Sequence, residues 1–208
     1  MEAFQSVTGV AAPMMRINID TDQIIPALFL GGTDAKGYGA HLFHHWRFLP
    51  DGAPNPEFIL NRAPYDGAQV LLADRNFGCG SSRERAPKAL REFGFRAVIA
   101  PSFGGIFFNN CFRNGIVPVE LPIEAVRRIV AEVEAAGGQA QVTVDLESQT
   151  VTAPSGERFT FAAPQALRAM LLAGQDEIGL TLTRQVEIEA WRGGDRARRP
   201  WAYSAPRA

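Results

Sequence analysis

VLLADRNFGCGSSRERAPKALREF, Val70 to Phe93, decides how the rest of the chain is read. Val70-Leu71-Leu72-Ala73 is a short apolar run ended by Asp74, which predicts a buried strand. Arg75 to Arg83 holds Gly78 and Gly80 two residues apart and predicts a loop. Arg85 to Phe93 sets Ala86, Ala89, Leu90 and Phe93 on one side of a helix. Pro87 fits only near that helix's start, because proline lacks an N–H and clashes with the preceding turn. Ser81, Ser82 and Arg83 therefore fall at or just before a helix N-terminus, where free N–H groups and the positive end of the helix dipole favour an anion. Two hydroxyls and a guanidinium in that place suit a carboxylate ligand, or a serine that must carry negative charge. The alternative is a glycine-rich βα turn with a serine cap. The stretch is not a Walker loop, since G-x-x-x-x-G-K-[ST] is absent, and not a G-x-S-x-G elbow, since the glycine after the serine is missing.

Downstream, Arg96 to Ala100 reads as a second buried strand, so strand, helix and strand form a right-handed βαβ unit. Pro101-Ser102 caps a short helix over Phe103 to Arg113, ended by Asn114-Gly115. Ile116 to Leu121 is a third strand, placed at an edge by Pro118. Pro122 to Ala136 is an amphipathic helix with Val126, Ile129, Val130 and Val133 as its apolar stripe. Residues 141–146, 150–153 and 158–161 alternate and form a small antiparallel hairpin region around Ser155-Gly156. Pro164 to Leu172 is the last expected helix, and Ile178 to Thr183 a short extended piece.

Upstream, Phe4 to Val10 reads as a strand, with Ala11-Ala12-Pro13 as a loop. Asp20 and Asp22 flank Thr21; in an extended segment they face the same way, and otherwise they form an Asx-type turn before a short helix. Gly31 to Gly39 is rich in glycine and predicts a mobile loop, a lid or a substrate-reading loop. His41, His44 and His45 are all the histidines. The i, i+3 spacing of His41 and His44 would suit a metal on a helix, but no Asp, Glu or Cys lies nearby at ligand spacing, so packing and surface roles are expected and no metal site is assigned.

The 208 residues suit one domain, read as 1–191, followed by a basic, flexible tail over 192–208. Hydrophobic residues make up 46% and charged ones 21%, enough for a packed core. A net charge of −1 argues against nucleic acid as a partner. No apolar run reaches the length of about 18 residues that a membrane span needs, and no signal peptide is read at the start, so a cytoplasmic location is expected. Cys79 and Cys111 are the only cysteines. Two thiols make no disulfide framework in a reducing compartment and cannot hold a cubane iron–sulfur cluster.

Taken together, NIDTDQIIP (18–26), GYGAHLFHHWRF (37–48), NFGCGSSRERAP (76–87), APSFGGIFFNNCFRNGIVPV (100–119) and DEIGLTLT (176–183) resemble the small subunit of 3-isopropylmalate dehydratase, of the aconitase superfamily. The resemblance runs to about Thr183, and Gly80-Ser81-Ser82-Arg83-Glu84 is its specific part. It implies an α/β fold: a swivel-type β/β/α domain with a central, mostly parallel sheet flanked by helices and a small antiparallel hairpin region. It implies a partner, a large subunit carrying a [4Fe–4S] cluster, with no cofactor bound by this chain. The implied reaction interconverts 2- and 3-isopropylmalate in leucine biosynthesis, by dehydration to 2-isopropylmaleate and rehydration. By similarity Ser81 is the base, as an alkoxide, while Ser82 and Arg83 hold a carboxylate of the small diacid substrate. Asp22, in the Thr-Asp segment, then orients a proton-transferring group. Gly78, Gly80 and the helix start supply backbone donors that help a serine ionise. Cys79 reads as a small buried filler.

Four features depart from that family pattern. Arg85 stands where histidine is usual, Lys88 where tryptophan is usual and Gly105 where aspartate is usual. The loop after Pro26 lacks a basic residue near its start, which leaves Lys36 as its cation and candidate substrate contact. These positions would read the substrate side chain, so a paralogous hydro-lyase for another 2-hydroxy diacid, such as citramalate, is the second hypothesis. The third is a non-catalytic module that binds a carboxylate or phosphate.

Overall fold

The structure, a computed structural model, describes residues 2–31 and 37–203. Seven strands, β1 (Ser6–Met14), β2 (Val70–Ala73), β3 (Ala97–Ala100), β4 (Val117–Glu120), β5 (Gln141–Asp145), β6 (Thr150–Thr152) and β7 (Arg158–Thr160), form one sheet in the order β4-β3-β2-β1-β5-β6-β7. Strands β1 to β4 run parallel, while β5, β6 and β7 continue from β1 as an antiparallel meander. The hairpin region, with β1, forms the antiparallel half of the same sheet. β4 lies at the edge, where Pro118 breaks no second ladder.

β1 joins the two halves. Ser6–Val10 pairs antiparallel with β5, and Ala11–Met14 pairs parallel with β2. The loop expected at Ala11-Ala12-Pro13 is therefore strand. Pairing with β5 stops at Val10, so Pro13 sits where one flank of β1 carries no ladder and a missing N–H is tolerated.

Among the described residues the α-helices, beside short 3-10 turns, are α1 (Thr21–Ile24), α2 (His44–Arg47), α3 (Arg85–Phe93), α4 (Gly105–Arg113), α5 (Ile123–Ala135), α6 (Gln165–Ala173), α7 (Glu177–Leu182) and α8 (Gln185–Arg198). Every residue of β2 and β3 is buried, because helices cover both faces of the parallel half. Val70, Leu72, Ala97 and Ile99 share one core with Val126, Ile129 and Val133 of α5 and with Met170 and Leu171 of α6. Leu71, Ala73, Val98 and Ala100 share the other with Ala86, Ala89 and Leu90 of α3 and with Phe43, Phe77 and Phe107. Alternation along each strand sends successive side chains to opposite cores.

The C-terminal stretch departs from expectation. Residues 178–182 are helical, within α7, rather than extended. Asp176 caps α7 by accepting the Gly179 N–H at 2.6 Å, a local start signal that outweighs the strand-like alternation of Ile-Gly-Leu-Thr. The boundary expected between 191 and 192 falls inside α8, and Gly193-Gly194 does not break it. Below that pair, Arg199 clasps Asp195 through Nε and Nη2, each at 2.8 Å, and Tyr203 Oη adds a third bond at 2.8 Å. Most other α8 side chains are exposed. Among the described residues no helix is long and apolar enough to cross a membrane.

Candidate active site

The loops that follow β1, β2 and β3 lie side by side beyond the carboxyl ends of three neighbouring parallel strands. That edge is where open α/β sheets form ligand crevices. Isolated parallel bridges, Asp20 with Cys79 and Phe77 with Phe103, carry the strand order past the sheet's end. The loop after β1 is laced to the glycine loop residue by residue. The Asn18 N–H donates to the Arg75 carbonyl at 3.0 Å, the Gly78 N–H to the Ile19 carbonyl at 2.7 Å and the Thr21 N–H to the Cys79 carbonyl at 2.9 Å. Thr21 Oγ1 donates to the Ser81 carbonyl at 2.8 Å. On the opposite flank the Phe77 N–H donates to the Ser102 carbonyl at 3.1 Å, and the Gly104 N–H to the Phe77 carbonyl at 2.9 Å.

Asp20 and Asp22 divide the labour of the Asx turn. Asp20 is the N-cap of α1: its Oδ1 accepts the Asp22 and Gln23 N–H groups, and Gln23 answers by accepting the Asp20 N–H at 3.0 Å. This reciprocal capping box fixes where Asp22 points. Asp22 Oδ1 accepts from Arg83 Nη1 and from the Ala27 N–H at 2.9 Å. The Arg83 guanidinium holds the Asp22 carboxyl below the usual carboxylate range, against a smaller opposing effect of burial. Arg83 Nη1 also donates to the Ile25 carbonyl at 3.0 Å, so one nitrogen ties the loop to both ends of α1. No described residue accepts from Nε or Nη2, which leaves those donors for a ligand.

The two glycines serve different ends. Gly78 has φ +70, and a Cβ on it would lie 2.2 Å from the Phe107 ring. Gly80 has φ +87 and looser surroundings, the Asp20 Cβ being 3.4 Å from where its own would stand. Both angles lie in the left-handed region that glycine enters freely. Gly104 permits a third close approach, since its Cβ would stand 2.4 Å from the Gly78 carbonyl oxygen.

Between these loops lies a cavity of 180 Å³, lined by Thr21, the turn from Gly78 to Ser81, Arg83 and the first turn of α4. Ser81, Ser82 and Arg83 precede α3 as expected, with Glu84 as its N-cap, and both serines are exposed. The helix N-terminus that actually lines the cavity with Ser81 is that of α4, whose Gly105, Ile106 and Phe107 stand there. First-turn N–H groups have no intrahelical partner. Sequence reading placed a helix over Phe103 to Arg113 but gave its N-terminus no part in the site, and it assigned no role to the buried Thr21. The D-x-x-Q box at 20–23 was the legible sign that Thr21 opens a helix.

Cys79 is half-buried and lines the cavity, rather than being a buried filler. Burial pushes its thiol up, and the Asp20 charge adds to that, so it stays protonated. Cys111 is buried within the core and its thiol is pushed well up by burial. Among the described residues no group of three or more His, Cys, Asp or Glu side chains could hold a metal ion.

The histidines pack as a stack. His41 lies over Phe29 at 3.9 Å, His44 meets the edge of the same ring at 4.6 Å, and His45 is exposed. Burial, then the neighbouring His41, His45 and Arg47, lowers the His44 pKa and keeps that ring neutral. Lys36 and residues 32–35 of the glycine-rich loop lie outside the described residues. Arg85 Nε donates to Tyr38 Oη at 2.9 Å, just after that loop, and Lys88 pairs with Glu84 at 3.0 Å on the surface. A Cβ on Gly105 would meet nothing within 4 Å, so a side chain there is sterically free.

Comparison with known proteins finds relatives over nearly the whole chain. A family model described as the aconitase C-terminal domain matches residues 1–124, and a second, LeuD_N, matches residues 127–162. The 3-isopropylmalate dehydratase small subunit of Neisseria meningitidis serogroup C is 49% identical over 213 residues, covering 98% of this chain and 100% of that one. The protein of the same name from Shewanella amazonensis is 52% identical, covering 92% and 100%. A solved structure of 3-isopropylmalate dehydratase (leuD) from Methanocaldococcus jannaschii superposes with a TM-score of 0.62 at 26% identity, covering 90% of this chain and 99% of that one.

Proposed function

The chain belongs to the family of 3-isopropylmalate dehydratase small subunits, and from that premise we propose that it is the small subunit of a hydro-lyase in leucine biosynthesis, active when assembled with a large subunit. The reaction moves a hydroxyl between neighbouring carbons of isopropylmalate by loss and return of water through 2-isopropylmaleate. The observation that supports a catalytic rather than a structural role is the placement of Ser81. It is exposed, beside an arginine with free donors, and lines a cavity that also takes the unpaired first turn of a helix.

The roles follow from those donors. Ser81 takes the proton from the carbon alpha to a carboxylate, the C–O bond on the neighbouring carbon breaks to give the alkene diacid, and the departing hydroxyl takes a second proton from a proton-transferring group on the large-subunit side to leave as water; in the return step water gives that proton back and Ser81 returns its own. A serine hydroxyl ionises near neutral pH only where donors and positive charge stabilise the oxyanion. The first turn of α4 and Arg83 supply them. Ser82 and the free Arg83 donors hold a substrate carboxylate, and a two-point guanidinium contact fixes its orientation. Asp22 fixes Arg83 in that pose and stays ionised. Lys36 adds a contact from the glycine-rich loop. The iron–sulfur cluster resides on the large subunit, where it supplies a Lewis acid for the departing hydroxyl.

The test is an anaerobic assay of this chain with its large subunit, following alkene absorbance with 2- and 3-isopropylmalate, citramalate and malate side by side. Preference for isopropylmalate is the expected outcome. Preference for citramalate would keep the chemistry and change the pathway. No turnover of any substrate with the large subunit's cluster intact would sink the enzymatic reading.

A further inference from the structure

We propose that Thr21 is the positioning residue of the Ser81 base, an inference that rests on the reading of Ser81 above. Thr21 is 3% exposed and spends both its donors on one turn, its N–H on the Cys79 carbonyl and its Oγ1 on the Ser81 carbonyl. Those two bonds straddle Gly80, whose φ of +87 makes it the freest joint of the loop. The Ser81 bond has a further geometric consequence. A trans peptide is planar, and its C=O and N–H point in opposite directions. With the Ser81 carbonyl held by Thr21, the planar peptide turns the Ser82 N–H away from Thr21, and both Ser81 and Ser82 are exposed. No described residue accepts from that N–H. Thr21 thus sets the direction of an unspent backbone donor beside the exposed serines. That donor stabilises the negative charge on Ser81, and does so without rearranging when the charge forms. An alternative use of the same hydroxyl, filling space under the loop, would need its methyl as much as its oxygen.

The experiment compares Thr21→Val and Thr21→Ser with wild type, each assembled with the large subunit and assayed with 3-isopropylmalate, and runs Ser81→Ala beside them. Thr21→Val keeps the shape and removes the donor; it is expected to lower kcat by about 10- to 100-fold, short of the loss of a full oxyanion donor, with KM changed less than about threefold. Thr21→Ser keeps the donor and is expected to restore kcat to near wild type, which also covers the case where the valine variant fails to fold. An unchanged kcat in Thr21→Val would overturn the inference. So would a serine variant as impaired as the valine one, which would mark a packing role, or an effect on KM alone, which would mark substrate binding. Near-normal turnover in Ser81→Ala would overturn the base assignment itself. Loss in Ser81→Ala with an undiminished Thr21→Val would overturn only the role given to Thr21.

Discussion

Arg83 Nη1 serves Asp22 and the Ile25 carbonyl together, while the rest of the guanidinium stays available. A lysine ammonium can satisfy one of those partners but cannot present a planar pair of donors to a carboxylate as well. Arg83→Lys is therefore expected to raise KM for isopropylmalate by about tenfold or more, equivalent to about 1.4 kcal/mol, in steady-state assays of the assembled enzyme. The partner Asp22 sets a pH dependence. Its folded pKa is depressed by Arg83, so its stabilisation is fully present above the unfolded-state value and is lost as pH falls through the folded value. The Asp22 side chain is 53% exposed, so solvent screening keeps this contribution under about 1 kcal/mol. The difference in thermal midpoint between wild type and Asp22→Asn should accordingly be small at neutral pH and should shrink further in acid. The pairing itself was not legible in the sequence. Asp22 and Arg83 could each be singled out, but 61 positions separate them, and only the fold shows that they meet.

The turn from Gly78 to Ser81 owes its shape to what surrounds it. Gly78 combines a left-handed φ with a Phe107 ring 2.2 Å from the vacant Cβ position. Gly78→Ala would add about 1–2 kcal/mol of backbone strain and about 1–3 kcal/mol of overpacking. Urea or thermal unfolding should show a loss of about 2–5 kcal/mol by those two effects together, and a loss under half a kcal/mol would contradict the packing described. At this scale the sequence was most readable where periodicity and local punctuation agreed. α3 begins at Arg85 and ends at Phe93 as the apolar spacing predicts, and β2 matches its apolar run residue for residue. It was least readable where one signal masked another. Pro13 suggested a loop in what is the second half of β1, because the lone flank that tolerates it exists only in the assembled sheet. Alternation at 178–183 suggested a strand, although Asp176 starts a helix there.

Across the whole molecule, β1 carries the design. Its first half anchors the antiparallel meander and its second half opens the parallel layer, whose carboxyl edge holds Thr21, Ser81 and Arg83. The strand, loop and helix around Ser81 were legible from the residues, and the family resemblance added the fold class. The joining of the two half-sheets through one strand was not legible, because no short-range pattern encodes which strand becomes the neighbour of β1. α8 stands apart from this frame, with most of its side chains in solvent. A chain ended after Thr183 is expected to keep its thermal midpoint within the range that surface changes produce, about 0.5 kcal/mol in stability. A large drop would show that α8 is part of the folded body. The most direct test of the central claim is the anaerobic rate of alkene formation from 3-isopropylmalate by Ser81→Ala assembled with the large subunit. The account predicts a fall in kcat of about 10³-fold, in the range for loss of a general base, with the large subunit still captured by the variant. Turnover within a few-fold of wild type would contradict it and remove Ser81 as the base.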